Sequence, residues 1–231
     1  MSSTVVPIRL GRTTAYVVRG TRPILIDCGM PGNGKRILEH LRRASIAPGE
    51  LALIVITHAH LDHVGSLFAL KEHTSAPVAI HTGDAEALRS GTNAALRSPS
   101  LLGRVIAPLL RLQKLLPGVE PDVPIDDEFD LAGYGVRGTI LPTPGHTPGS
   151  VSVLLEGGAA VVGDLVMGRP FHWRTPHLPF FADDAGAVRR SLDLLLDRGI
   201  TRFYAAHGGP FTSHAVQALL QDQVAVRGTA G

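Results

Sequence analysis

Residues 57 to 65, Thr57-His58-Ala59-His60-Leu61-Asp62-His63-Val64-Gly65, crowd three imidazoles and a carboxylate into six positions. They follow Leu51-Ala52-Leu53-Ile54-Val55-Ile56, an apolar run rich in β-branched residues that reads as a strand buried on both faces. Groups that prefer water or a proton do not gather at the end of a buried strand unless something offsets their desolvation, and a divalent cation does so directly. His58 and His60 are two apart, so in an extended segment they point the same way and can bind one ion together. Asp62 and His63 fall where the chain must turn, which lets them face a second ion beside the first. The competing reading is a His-rich solvated loop, and the ligands supplied by the rest of the chain count against it.

His58-Ala59-His60-Leu61-Asp62-His63 resembles the His-x-His-x-Asp-His signature of the metallo-β-lactamase-fold hydrolases. Three further stretches fit in the expected order: Thr143-Pro144-Gly145-His146-Thr147-Pro148-Gly149-Ser150, Val161-Val162-Gly163-Asp164 and Ala205-Ala206-His207-Gly208-Gly209-Pro210. The set covers nearly the whole chain and is far more specific for a fold than for a substrate. The resemblance implies an α/β chain folded as the family's four-layer αβ/βα sandwich, with the ligands delivered at strand ends from two β-rich halves. It also implies that a first ion takes His58, His60 and His146, a second takes Asp62, His63 and His207, and Asp164 bridges both. Asp27, closing the third strand, would support the metal loop from behind the ligands; a turn-forming Asp is the alternative. Five imidazoles and two carboxylates without thiolate suit two Zn²⁺, with Fe or Mn possible. The implied chemistry is hydrolysis by a water whose pKa two ions lower toward about 7. Asp62 is the candidate to accept its proton.

One cysteine, Cys28, excludes an internal disulfide framework and fits a reducing compartment. No basic segment followed by an apolar one opens the chain, and no run approaches the ~18 apolar residues of a membrane span. A cytoplasmic protein is the expectation. Lys+Arg 22 against Asp+Glu 20 leaves a net charge of +2, too small to argue for nucleic acid or an anionic membrane, so a small-molecule substrate is expected. No linker or low-complexity tract divides the 231 residues, which predicts one domain over 1–231.

In chain order, residues 4 to 27 read as a β-meander, 34 to 44 as a helix, and the stretch after Asp62 as a helix whose apolar face includes Phe68. Asp84 reads as the cap of a helix running through Leu88, and His81 as a polar strand end. Residues 92 to 128 carry leucines at helical spacing and predict a helical insert that forms a lid, a substrate wall or a homodimer face. Tyr134 to Leu141 reads as a strand, and Val151–Leu155 with Ala159–Val162 as a hairpin. Residues 168 to 183 read as a long loop crossing the face of the site, with Phe171, His172, Trp173, His177, Phe180 and Phe181 as candidates to shape its pocket. A helix from 184 to 198, a last strand from 201 to 206 and a final helix from about 213 to 226 complete the reading.

Within the family the chain resembles the glyoxalase II and lactonase-like branch, with departures. Cys28 is far from the motif, which argues against the Cys-liganded β-lactamases, and Met167 stands where acyl-homoserine lactonases usually present Tyr. The expectation is a dinuclear zinc hydrolase of a small ester-like substrate, lactone or thioester. Alternatives are a phosphodiester or phosphotriester hydrolase, a mononuclear iron dioxygenase of the persulfide-oxidising type, or a metal-binding module without turnover.

Overall fold

Alternation along the strands divides the apolar side chains into three layers. In the computed structural model, which describes residues 3–94 and 116–228, β1 (Thr4–Arg9), β2 (Thr14–Arg19), β3 (Ile24–Ile26), β4 (Leu53–Val55), β5 (Val78–His81) and β6 (Val123–Ile125) form one sheet in sequence order. The first three strands pair antiparallel, as a meander does, and β3 to β6 pair parallel. Parallel neighbours need crossovers, and helices supply them: Gly34–Arg43 between β3 and β4, then Leu61–Val64 and Leu67–Lys71 between β4 and β5, then Thr82–Ser90.

The second half makes the other sheet from β7 (Phe129–Asp130), β8 (Gly138–Pro142), β9 (Val151–Leu155) and β10 (Ala159–Val161). A separate two-stranded ribbon follows, β11 (Met167–Arg169) with β12 (His172–His177). The helix Ala185–Asp197 then returns the chain to β13 (Arg202–Tyr204), parallel to β10, before β14 (Phe211–Thr212) and the helix Ser213–Gly228.

Because successive strand residues face opposite ways, Ala15 and Val17 of β2 pack outward with Ile37 and Leu41 of the first helix. Tyr16 and Val18 pack inward against Ile140 and Val153 of the other sheet. Leu154 and Phe203 then face outward to Val188, Leu192 and Leu195. Helices, sheet, sheet and helices therefore stack in four layers, the αβ/βα sandwich expected.

Several local expectations need correction. Past Asp62 the chain makes two short helices, interrupted at Gly65 and Ser66, and the break leaves Phe68 49% exposed rather than on an apolar face. The helix at 82 starts earlier than expected, and its cap is the His81 imidazole, which accepts the Gly83 N–H, so Asp84 does not cap it. Tyr134 lies in a 3₁₀ turn, Ala132–Tyr134, and the strand begins only at Gly138. The stretch read as a loop over 168–183 is largely the β11–β12 ribbon. The leucine-rich part of the expected insert, 95–115, lies outside the described residues, while its far end contributes β6. Among the described residues no helix is long and apolar enough to cross a membrane.

Candidate metal centre

Every candidate ligand sits just past a strand. β4 ends at Val55, and the turn from strand into the helix Leu61–Val64 is closed by the His60 carbonyl, which accepts the N–H groups of His63 at 2.9 Å and Val64 at 3.0 Å. His146 follows β8, Asp164 follows β10 and His207 follows β13. These are the carboxyl ends of the strands, where open α/β sheets leave a crevice.

The loop carrying His146 is pressed against the start of the helix Ala185–Asp197. The Asp184 N–H donates to the Gly145 carbonyl at 2.9 Å, and the Asp183 N–H donates to the His146 carbonyl at 3.1 Å. Gly145 adopts φ +139, and a Cβ there would stand 2.3 Å from the Val188 nitrogen, so only glycine fits.

The structure brings all seven candidate ligands together. Three groups, His58/His60/His146, His58/His63/Asp164 and Asp62/His63/His207, each hold their ligand atoms within 4.8 Å of one another. Asp164 reaches both outer groups: its Oδ2 lies 3.7 Å from His146 Nε2 and 3.5 Å from His207 Nε2, and its Oδ1 lies 3.4 Å from His63 Nε2. Asp62 Oδ2 is 3.1 Å from His207 Nε2, and His60 Nδ1 is 3.0 Å from His146 Nε2.

The imidazoles of His58, His63, His146 and His207 are aimed by what their far nitrogen donates to. His63 Nδ1–H donates to Asp27 Oδ2 at 2.8 Å, His146 Nδ1–H to the Phe181 carbonyl at 2.7 Å and His207 Nδ1–H to the Arg12 carbonyl at 2.9 Å. His58 Nδ1–H donates to Thr57 Oγ1 at 3.1 Å, whose own hydroxyl donates to Asp27 Oδ2 at 2.8 Å. Such bonds fix tautomer and ring orientation, leaving each Nε2 directed at the centre. Asp27 thus ties Thr57 and His63 of this loop together, and it does so in the left-handed region, at φ +61.

His58 Nε2, His63 Nε2 and Asp164 Oδ1 are buried without a hydrogen-bond partner. His63 Nε2 and Asp164 Oδ1 face each other at 3.4 Å without a well-formed bond, and the three atoms in one place make a donor set with the composition a divalent cation needs. The residues therefore fit a metal, with nitrogen and oxygen donors suited to Zn²⁺, Fe or Mn. Cys28 is fully buried outside these groups, and burial, with Asp27 beside it, pushes its thiol well up, so it stays protonated.

The charges separate into two regions. Burial, then neighbouring His63 and His146, holds His58 well below the usual imidazole range; burial and His146 push His60 down to about 3. Burial works against charge on His63 and His207 too, but carboxylates overcome it there. Asp27, Asp164 and Asp62 hold His63 well above the usual range, and Asp164 with Asp62 lifts His207 to about 10. Against its own burial, Asp62 is drawn down to about 2 by His63 and His207. One half of the centre is neutral and the other is a network of paired charges.

The aromatic candidates sit on a segment that spans the two ligand loops. At one end the Gly168 N–H donates to the His207 carbonyl at 2.6 Å; at the other the Phe181 carbonyl holds His146. Phe171 forms the ribbon tip, 95% exposed with φ +64. His172, Trp173, Phe180 and Phe181 are exposed, and His177 is half-buried and stacked on Phe180 at 4.8 Å. None of the six joins the donor groups. Sequence reasoning missed Thr57, the Arg12 carbonyl and Asn93, whose Oδ1 accepts the Leu61 N–H at 2.9 Å. It also missed the role of Asp84. No local signal marks any of them, because each acts on a partner distant in the chain or through the backbone.

A four-layer αβ/βα sandwich with a His/Asp cluster at the strand ends is the arrangement of the metallo-hydrolase superfamily. The chain belongs to the metallo-β-lactamase superfamily, whose family model matches residues 8–207. It is 29% identical over 205 residues to a probable metallo-hydrolase of Methanocaldococcus jannaschii, covering 85% of this chain and 87% of that protein. It is 28% identical over 212 residues to a human acyl-coenzyme A thioesterase, covering 82% of this chain and 70% of that protein. Among solved structures, a metallo-β-lactamase of Cronobacter sakazakii superposes with a TM-score of 0.69 at 19% identity over 98% of this chain and 90% of that one. An archaeal superfamily protein of Sulfolobus tokodaii superposes with a TM-score of 0.65 at 22% identity, covering 95% and 86%. At such identities these structural likenesses speak for the fold alone.

Proposed function

We propose that the protein is a dinuclear metal-dependent hydrolase of a small ester-like substrate, with an acyl thioester ahead of a lactone. The observation that carries this reading is the position of Asp164, whose two oxygens face His146 on one side and His63 on the other. His58, His60 and His146 would hold one ion, Asp62, His63 and His207 the other, and Asp164 would touch both. Zn²⁺ is the preferred metal. When bound, such a pair makes water nucleophilic at neutral pH and polarises a carbonyl oxygen.

The chain's own residues do the rest. Asp62 is the ligand most open to solvent after folding, its side chain 30% exposed against 6% for Asp164. We assign it to accept a hydrogen bond from the attacking water and orient it, the proton leaving on this open side. The segment 167–183, carrying Phe171, His172, Trp173, His177, Phe180 and Phe181, is assigned the wall against which the acyl and leaving groups lie. The preference for a thioester is supported by the thioesterase relative.

The test is metal content by plasma emission on protein purified without added metal, followed by rates on acyl thioesters, lactones and phosphodiesters. Two zinc per chain with thioester or lactone turnover is the expected result. One iron per chain with oxygen uptake would overturn the reading in favour of a dioxygenase, and turnover confined to phosphodiesters would overturn the substrate class.

A further inference from the structure

Asp84 is a buried carboxylate, 1% exposed, that belongs to none of the donor groups and takes no part in the chemistry above. Its Oδ2 accepts the Ala59 N–H at 2.9 Å and the Thr147 hydroxyl at 2.8 Å, while its Oδ1 accepts the Gly149 N–H at 3.0 Å. Ala59 is the residue between His58 and His60, and Thr147 directly follows His146. One side chain therefore grips, from behind, two ligand loops that leave different sheets, one after β4 and one after β8. Gly149 records how tightly the grip is set: a Cβ there would stand 2.5 Å from the Asp84 nitrogen and 2.6 Å from its Oδ1.

We propose that Asp84 is a positioning residue that fixes the distance between the His58/His60 pair and His146, and so sets the affinity of the ion these three would hold. The inference rests on the two-ion reading above. The chemistry calls for a carboxylate, because all three partners are donors. An amide of the same shape offers one acceptor and an NH₂ group, which would face an N–H. In the other group, Asp62/His63/His207, the imidazoles are held by Asp27 and the Arg12 carbonyl, and none of these bonds of Asp84 reaches that group. Loss of Asp84 should accordingly be felt at one ion and not the other.

The experiment is titration of the metal-free full chain with Co²⁺ alone, followed by visible absorption and by competition with a chromophoric chelator. Wild type should take two ions. Asp84→Asn should weaken one of them by about 10–100-fold, the usual cost of losing an outer partner of a ligand, with the other unchanged. Thr147→Val keeps the shape, removes one of the three bonds, and should weaken the same ion by about fivefold; it carries the test if Asp84→Asn does not fold. Leu41→Ala, in the outer helical layer, should lower Tm without changing either affinity, which separates positioning from general destabilisation. Fewer than two ions in the wild type would overturn the two-ion reading and this proposal together. Two ions in the wild type with unaltered affinities in both variants, or with both ions weakened equally, would overturn this proposal alone.

Discussion

His63 Nδ1 lies 2.8 Å from Asp27 Oδ2, a bond between buried groups 36 residues apart that joins the end of β3 to the ligand turn after β4. The same carboxylate takes the Thr57 N–H at 2.8 Å and the Thr57 hydroxyl, so one residue fixes both the backbone entering the metal loop and the ring of a ligand.

Replacing Asp27 should therefore cost stability and metal together. Asp27→Ala takes from the buried His63 its 2.8 Å partner and leaves two Thr57 donors orphaned, an expected loss of about 3 kcal/mol or more in urea unfolding of the metal-free protein. Metal affinity should fall by about 10–100-fold by chelator competition. A variant that binds metal normally would remove Asp27 from its supporting role.

The metal-free protein should be most stable near pH 6.5. The folded-state pKa of His207 is raised to about 10, so its contribution is complete below about 6.5 and is lost as pH rises through 10. The folded-state pKa of His60 is lowered to about 3. The unfolded chain therefore binds a proton below about 6.5 that the folded chain refuses, and stability falls from there toward pH 3. Thermal scans in chelator from pH 4 to 10 should trace this dome. A flat profile across the alkaline half would contradict the pairing of His207 with Asp164 and Asp62. Because metal must displace the His207 proton, affinity for the ion it holds should rise by up to about tenfold per pH unit in the same alkaline window.

Asp164→Ala removes the one carboxylate that faces both donor groups. Metal content should drop below two per chain, and turnover should fall by at least about 100-fold, the upper cost of losing even an outer partner. Unchanged metal content and rate would dismiss the bridging assignment.

Gly163→Ala tests how closely the halves approach. Gly163 adopts φ +52, and a Cβ there would meet Thr57 Oγ1 at 2.7 Å. Backbone strain alone costs of order 1–3 kcal/mol, and the push on Thr57 acts directly on its bonds to Asp27. Loss of Tm together with weaker metal binding is expected; a fully tolerated alanine would mean that the two loops have room to part.

The cluster of candidate donors was legible in the sequence because His58 to His63 lie together behind a buried strand, and because His146, Asp164 and His207 fit, in order, the further stretches of the family resemblance. The meander followed from the apolar runs near the start of the chain, and the layered order from the family resemblance. Asp84 was not legible: its grip depends on Gly149, 65 residues away, whereas locally it resembles any acidic residue opening a helix. The ribbon at 167–177 was hidden by its composition. Pro170, Pro176 and Gly168 read as loop, yet Met167 pairs with His177 because the His207–Gly209 turn offers the ribbon a backbone to rest on, with the Gly209 N–H donating to the Trp173 carbonyl at 2.9 Å. Phe68 was misplaced because periodicity alone does not register the break at Gly65.

The bond from His207 to the Arg12 carbonyl spans 195 residues, and it has a consequence for how the protein comes into being. During synthesis the first hairpin emerges early and waits, its carbonyl without this partner, until the 195 residues between them have followed. Only then can the last imidazole dock and complete the Asp62/His63/His207 group. A nascent chain carries His58, His60 and His63 long before that, so the complete cluster of donors exists only in the finished fold.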